Sequence, residues 1–344
     1  MKVGLIAERF SRTSGVGPER YSYELLTHLR AMHADVTTVA SDPLRQRFGL
    51  AINSFSRLPV KTLGVLRGVD ILHATDPSSA VVFPLTGKKS VVTFHDLASL
   101  LHMGQFGSGD RVFAKLVLRM TANPSKIIAV SEQTKAELVA RLNVPPEKIN
   151  VVNLGVSESF HVITNIRKDA ETIGYVGDLN QRKRVDFLIR GFAVLKAKRP
   201  HAKLVIVGSG VESANLRSLV QKLGVRDVDF VGKVGEEKLA ELYNSMTVLV
   251  LPSDYEGFGL PIIEAQSCGT PVVIRSDARI SPEVARACVK VSSEESLALE
   301  LEVLLTEKKM YSMIKEDGLR IAGSFTWGRC ATETLKTYTE VLGE

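Results

Sequence analysis

Short β-branched runs alternate with helix-period segments along the whole chain, and the alternation begins twice. The first series of strand candidates is 2–7, 35–40, 70–74, 90–95, 126–130 and 149–153. The second is 172–178, 202–210, 228–234, 247–253 and 270–276. Segments with the 3.6-residue period fill the gaps, as in 17–32 and 131–142, the latter with Ser131 as N-cap and Pro145–Pro146 as stop. A βαβα rhythm calls for a parallel sheet covered by helices on both faces. The polar, irregular stretch 157–171 separates the two series. The expected fold is therefore α/β, with two Rossmann-like doubly wound domains facing a deep cleft. Their expected spans are 1–160 and 165–324, with an amphipathic helix at 325–344 packing back on the first. A chain of 344 residues is too long for one ordinary core and suits two.

Charge is distributed unevenly between these halves. Residues 1–165 carry 19 Lys and Arg against 13 Asp and Glu, whereas the remainder carries 25 of each. The excess positive charge of the first half points to an anionic surface or partner, or to ordinary solubilising charge. Nucleic acid is not expected, because aromatics make up only 6% of the chain and no recognition motif is present. Three widely spaced cysteines show neither metal-ligand spacing nor a disulfide framework. With no apolar run long enough to span a bilayer and no signal-peptide pattern at the start, the expected location is cytoplasmic.

Ligands of open α/β sheets bind beyond the carboxyl ends of the strands, so the loops there are the places to search. After the first strand, Gly15 and Gly17 precede a helix. They suit an anion or sugar site, and equally an ordinary strand-to-helix turn. His95 and Asp96 follow the fourth strand, where a histidine is placed either for ligand contact or for a loop carbonyl; His73 has the same ambiguity. In the second half, Arg182, Lys183 and Arg184 sit in the loop after strand 172–177. Guanidinium groups hold phosphate oxygens bidentately and a lysine adds a point charge, which favours a phosphate clamp over a solvated basic turn.

The segment DYEGFGLPIIEAQSCGTPVV (254–273) follows a buried-looking strand. Glycines 257 and 259 permit close backbone approach, and Pro261 and Gly269 bound a short helix whose N-terminus suits a diphosphate. Glu256 is placed to accept hydrogen bonds from sugar hydroxyls. Glu264, expected in the first helical turn, is placed to take two vicinal hydroxyls such as a ribose offers.

With these residues in order, the chain resembles the retaining glycosyltransferases of family 4, which have the GT-B fold. Glu256 and Glu264 fit that family's signature of two glutamates with seven residues between. SGVGPERY (14–21), FHDL (94–97), VSEQTK (130–135), NLGV (153–156), RK (182–183), VIVGSG (205–210) and CGTPVV (268–273) fit it as well. The resemblance implies that Arg182 and Lys183 bind the donor diphosphate, Glu264 the ribose and Glu256 the transferred sugar. It implies donor contacts from Phe258, Gly259, Leu260, Gly177 and Gly208, a sugar contact from His95, and an acceptor side lined by Gly15 and Gly17. Asp178 and Arg184 depart from the residues common at their positions.

The activity so implied is transfer of a hexosyl group from a nucleotide sugar to a glycan or lipid-linked hydroxyl, with retention at the anomeric carbon. GDP-mannose is the first expected donor and UDP-glucose the second. Neither a cofactor nor a metal is expected. The apolar-basic stretches 48–68 and 111–120 suggest an acceptor at an anionic membrane surface, hence a peripheral location and a place in envelope polysaccharide or glycolipid synthesis. Two alternatives stand beside this: a GT-B phosphorylase or epimerase, and a non-catalytic subunit that binds nucleotide sugars.

Overall fold

The structure is a computed structural model that describes residues 1–11, 17–40, 64, 68–97, 124–166, 168 and 171–343. The chain divides into two units, one formed by 1–155 with 326–344 and the other by 156–325.

The first unit is built on six parallel strands: β1 (Lys2–Ala7), β2 (Asp35–Ala40), β3 (Ile71–Ala74), β4 (Lys89–Phe94), β5 (Lys126–Ala129) and β6 (Ile149–Val151). Their order is β2-β1-β3-β4-β5-β6, so the chain reverses its direction of travel across the sheet between β1 and β3. Helix α1 (Gly17–Ala31) follows β1, and α2 (Glu132–Leu142) follows β5. The Ser131 hydroxyl accepts the Thr134 amide at 3.1 Å and starts α2, a cap worth about 1 kcal/mol. Asn143, left-handed at φ +52°, ends it before the expected proline stop. Ile6, Leu72, Ala74, Val92, Phe94, Ile127, Ala129 and Leu138 are buried together between sheet and helix. The uninterrupted apolar strands follow from a sheet covered on both faces. The last helix, α10 (Trp327–Gly343), packs on α1, β4 and β5 of this unit.

The second unit repeats the architecture with β7 (Thr172–Val176), β8 (Lys203–Val207), β9 (Val228–Gly232), β10 (Val248–Leu251), β11 (Val272–Arg275) and β12 (Val289–Val291). The order is β12-β11-β10-β7-β8-β9, all parallel, and the reversal falls between β7 and β10. Helices α3 (Val185–Lys198), α4 (Ser213–Lys222), α5 (Glu236–Ser245), α6 (Leu260–Ser267), α7 (Pro282–Ala285), α8 (Glu294–Thr306) and α9 (Lys308–Ala322) surround it. Strand β12 was not expected. Each unit is thus a Rossmann-like α/β sandwich. No helix of the described residues is long and apolar enough to cross a membrane.

Candidate active site

In the second unit the loops after β7 and β10, the two strands at the reversal, carry most of the expected residues. Adjacent strands whose connections depart in opposite directions leave a crevice at their carboxyl ends. The floor is tight. Gly177 has φ +152° and Gly208 φ +134°. A Cβ on Gly208 would stand 1.9 Å from the Gly177 carbonyl, and one on Gly177 would stand 2.8 Å from the Tyr175 hydroxyl. The two glycines let the ends of β7 and β8 touch; this packing role is visible whatever else they bind.

Arg182 and Lys183 lie in a single helical turn, Gln181–Lys183, ended by left-handed Arg184 at φ +47°. Lys183 is buried, and its ammonium donates to Glu256 Oε1 at 2.6 Å. The Ser253 hydroxyl donates to the same oxygen at 2.6 Å. Arg182 Nη1 stands 3.8 Å from Glu256 Oε2 and donates to the Tyr255 carbonyl. Burial alone would raise the Glu256 pKa. The charges of Lys183 and Arg182 and the two hydrogen bonds outweigh it and hold the carboxyl below its usual range. Glu256 is therefore ionised at neutral pH. Lys183, expected from the sequence to add a point charge to a phosphate clamp, is seated against Glu256.

Gly259, at φ +99°, turns the chain into α6. Phe258 is buried edge-on to Phe325, ring centroids 5.5 Å apart. Among the described residues the amides of Phe258, Gly259 and Leu260 have no hydrogen-bond acceptor. They stand at the positive end of the helix, an arrangement that suits an oxyanion. Glu264 is buried and accepts the Tyr243 hydroxyl at 2.9 Å on Oε2. It lies one turn into α6, not in the first turn as expected, because the helix begins at Leu260. Tyr243 and Ser253 were missed by sequence reasoning; Ser253 has only its nearness to Glu256 as a signal, and Tyr243 on α5 has none.

In the first unit, His95 stands directly after β4. Its Nε2 lies 2.9 Å from the Thr75 carbonyl, which only accepts, so Nε2 carries the proton and Nδ1 keeps its lone pair. Burial lowers its pKa, so the ring is neutral at pH 7. Tyr21 packs edge-on against it, centroids 4.8 Å apart. Gly17 is the first residue of α1, and no atom of the described residues comes within 4 Å of where a Cβ would stand. Gly15 and the apolar-basic stretch 111–120 lie outside the described residues, as does nearly all of 48–68.

His73 resolves as structural. Its Nε2 meets Thr93 Oγ1 at 2.8 Å and its Nδ1 the Tyr338 hydroxyl at 2.5 Å. Thr93 in turn meets Tyr21 at 3.0 Å, and Tyr21 bonds Thr334, whose hydroxyl donates to the Cys330 carbonyl. One direction satisfies every donor: Tyr338 to His73, His73 to Thr93, Thr93 to Tyr21, Tyr21 to Thr334. Burial, with His95 nearby, pulls the His73 pKa down to about 3, so it is a neutral link.

Two family models account for most of the chain. Residues 16–160 match Glycosyltransferase Family 4, and residues 156–320 match Glycosyl transferases group 1. The chain belongs to the family 4, group 1 glycosyltransferases. An uncharacterized glycosyltransferase of Methanocaldococcus jannaschii is 29% identical over 254 residues, 68% of this chain and 65% of that protein. O-antigen chain mannosyltransferase B of Escherichia coli is 29% identical over 273 residues, 73% of this chain and 70% of its own length. The crystal structure of Anabaena HepE in complex with UDP superposes with a TM-score of 0.76 at 17% identity. That match covers 99% of this chain and 100% of HepE. The fold is thus GT-B, as the sequence implied.

Proposed function

We propose that the protein is a retaining hexosyltransferase that moves a sugar from a nucleoside diphosphate to a hydroxyl of a glycan or lipid-linked acceptor. The observation that carries the reading is the cluster at the β7/β10 reversal. There an ionised Glu256 is held between Lys183 and Arg182, beside three amides at the start of α6 that have no acceptor among the described residues, and eight residues before buried Glu264. Cations and amides at one end suit a diphosphate; carboxylates suit hydroxyls.

As the bond to the leaving diphosphate breaks, positive charge gathers on the anomeric carbon and negative charge on the departing oxygen. Fixed donors aimed at that oxygen are worth more than mobile water, since they need no reorganisation. Arg182, Lys183 and the amides of Phe258, Gly259 and Leu260 are assigned that role. In this reading they, and not a metal ion, neutralise the leaving group. Glu264 takes the ribose hydroxyls and Glu256 the hydroxyls of the transferred sugar. His95, with Nδ1 as a fixed acceptor, takes a further sugar hydroxyl.

GDP-mannose is the first donor to test, a choice supported by the mannosyltransferase relative, and UDP-glucose the second. Calorimetric titration against a panel of nucleotide sugars identifies the donor. Proton NMR of the product's anomeric signal, with and without EDTA, then reads stereochemistry and metal dependence. Release of sugar phosphate in inorganic phosphate, in place of nucleoside diphosphate, would overturn the assignment.

A further inference from the structure

Three consecutive cations of one loop meet three consecutive residues of another. Arg182 donates to the Tyr255 carbonyl, Lys183 pairs with Glu256, and Arg184 Nη1 reaches Asp254 Oδ1 at 3.5 Å. The main chains are joined as well, the Asp254 amide donating to the Arg182 carbonyl at 2.9 Å. The first two pairs belong to the site already described. The third lies outside it, and its residues have no part in the chemistry assigned above.

Arg184 is in the left-handed region, an uncommon conformation for a residue with a side chain. Its side chain does not cap α3; Nε bonds Asp186 at 3.3 Å while Nη1 reaches Asp254. Arg275, at the end of β11, donates through Nη1 to the same Asp254 oxygen and through Nη2 to Asp277 at 2.5 Å. Its guanidinium lies 5.5 Å from the centre of the Phe187 ring on α3. Asp254 is bound on its other main-chain side too, its carbonyl accepting the Arg279 amide at 2.9 Å, and the Arg279 carbonyl accepting the Glu256 amide at 2.9 Å. One carboxylate thus ties the β7 loop, the β10 loop and β11 together.

We propose that Arg184, Asp254 and Arg275 form a clasp that sets the register of the Arg182–Lys183 loop against the Glu256 loop. Asp254 and Arg184 are positioning residues in it: they touch no substrate, and they act through the spacing of Lys183 from Glu256. A one-residue slip of either loop would leave Lys183 facing Tyr255 or Gly257 in place of Glu256 and would part Arg184 from Asp254, so the third pair adds to the cost of a wrong register. The proposal rests on the donor-binding reading for its functional consequence, and on the ligand-free geometry for the clasp itself.

The test compares wild type with Asp254→Asn, Asp254→Glu, Arg184→Asn and the Arg184→Asn/Asp254→Asn double variant. Asparagine at 184 tolerates the left-handed backbone. UDP and GDP are the probes. We expect Asp254→Asn to weaken binding of whichever one wild type binds by about fivefold, the reach of a partly exposed ion network. The melting temperature should stay put, Asp254→Glu should restore affinity, and the double variant should be no weaker than Asp254→Asn. Hydrogen exchange of the ligand-free protein should quicken at the amides of Asp254, Glu256 and Arg279. Unchanged exchange overturns the clasp. Faster exchange with unchanged affinity overturns the positioning role, as does a purely additive double variant. If wild type binds neither UDP nor GDP, the donor reading fails while the exchange data still judge the clasp.

Discussion

The two units share a scaffold and differ in what they place on it. Each has six parallel strands with one reversal, and each gathers polar side chains into buried hydrogen-bonded sets. In the first unit the set is neutral: Tyr338, His73, Thr93, Tyr21 and Thr334 pass hydrogen bonds along a chain that begins and ends on α10. In the second it is charged: Lys183, Arg182, Glu256 and Ser253 meet within a few ångströms. A neutral chain fixes shape without a field, whereas buried charges supply a field and are costly unless it is used or compensated. The contrast says that one scaffold is spent on alignment and the other on electrostatics; function follows the site and not the fold.

The sharpest way to break the comparison is Glu256→Ala. It should lower kcat by about two to three orders of magnitude, since Lys183 loses its anchor and the site its ionised carboxylate. Turnover of the identified donor measures it. A loss confined to thermal stability would make the charges of the second unit as structural as the neutral chain of the first.

Gly208→Ala comes next, because its Cβ would stand 1.9 Å from the Gly177 carbonyl. Separating the ends of β7 and β8 should cost about 3 kcal/mol in urea unfolding. A cost below 1 kcal/mol would mean that the floor of the second unit yields.

The pH dependence of stability sharpens the other side. His73 binds its proton at about 3 when folded and at 6.5 otherwise, so the unfolded chain takes up protons first as pH falls. Its stability contribution is whole above pH 6.5 and declines toward pH 3 by about 1.4 kcal/mol per pH unit. Burial moves His95 in the same direction. Urea midpoints at pH 7.5 and 5 should converge in His73→Gln. An unaltered slope would show that His73 is not the neutral link described. Smallest is Tyr338→Phe, which removes one buried hydrogen bond and should cost about 1 kcal/mol, with kcat intact.

Much of the fold was legible because its strands are apolar, evenly spaced and separated by helices with recognisable caps, Ser131 among them. The first two strands fell on their expected bounds, the ends of the others shifted by up to three residues, and His95 moved from the last position of a strand to the first beyond it. The site was legible only where its residues are close in sequence, as Glu256 and Glu264 are. The Lys183–Glu256 pair joins positions 73 apart, and His73–Tyr338 positions 265 apart. No local pattern encodes such pairings. For the same reason the clasp at Asp254 could not be foreseen: Arg275 reads as the end of a strand until β11 is placed beside β10.

One feature of the first unit bears on how the chain is made. That unit is discontinuous, its final helix α10 arriving about 170 residues after Gly155. During synthesis its six strands emerge long before Tyr338 and Thr334, so His73 and Tyr21 wait with unpaired polar groups while the entire second unit is translated. The second unit, contiguous from 156 to 325, needs nothing that comes later. It can therefore complete its core first, leaving the N-terminal part of the chain as the portion most exposed to aggregation and to chaperones. A chain truncated at residue 325 would carry a whole second unit attached to a first one that lacks α10.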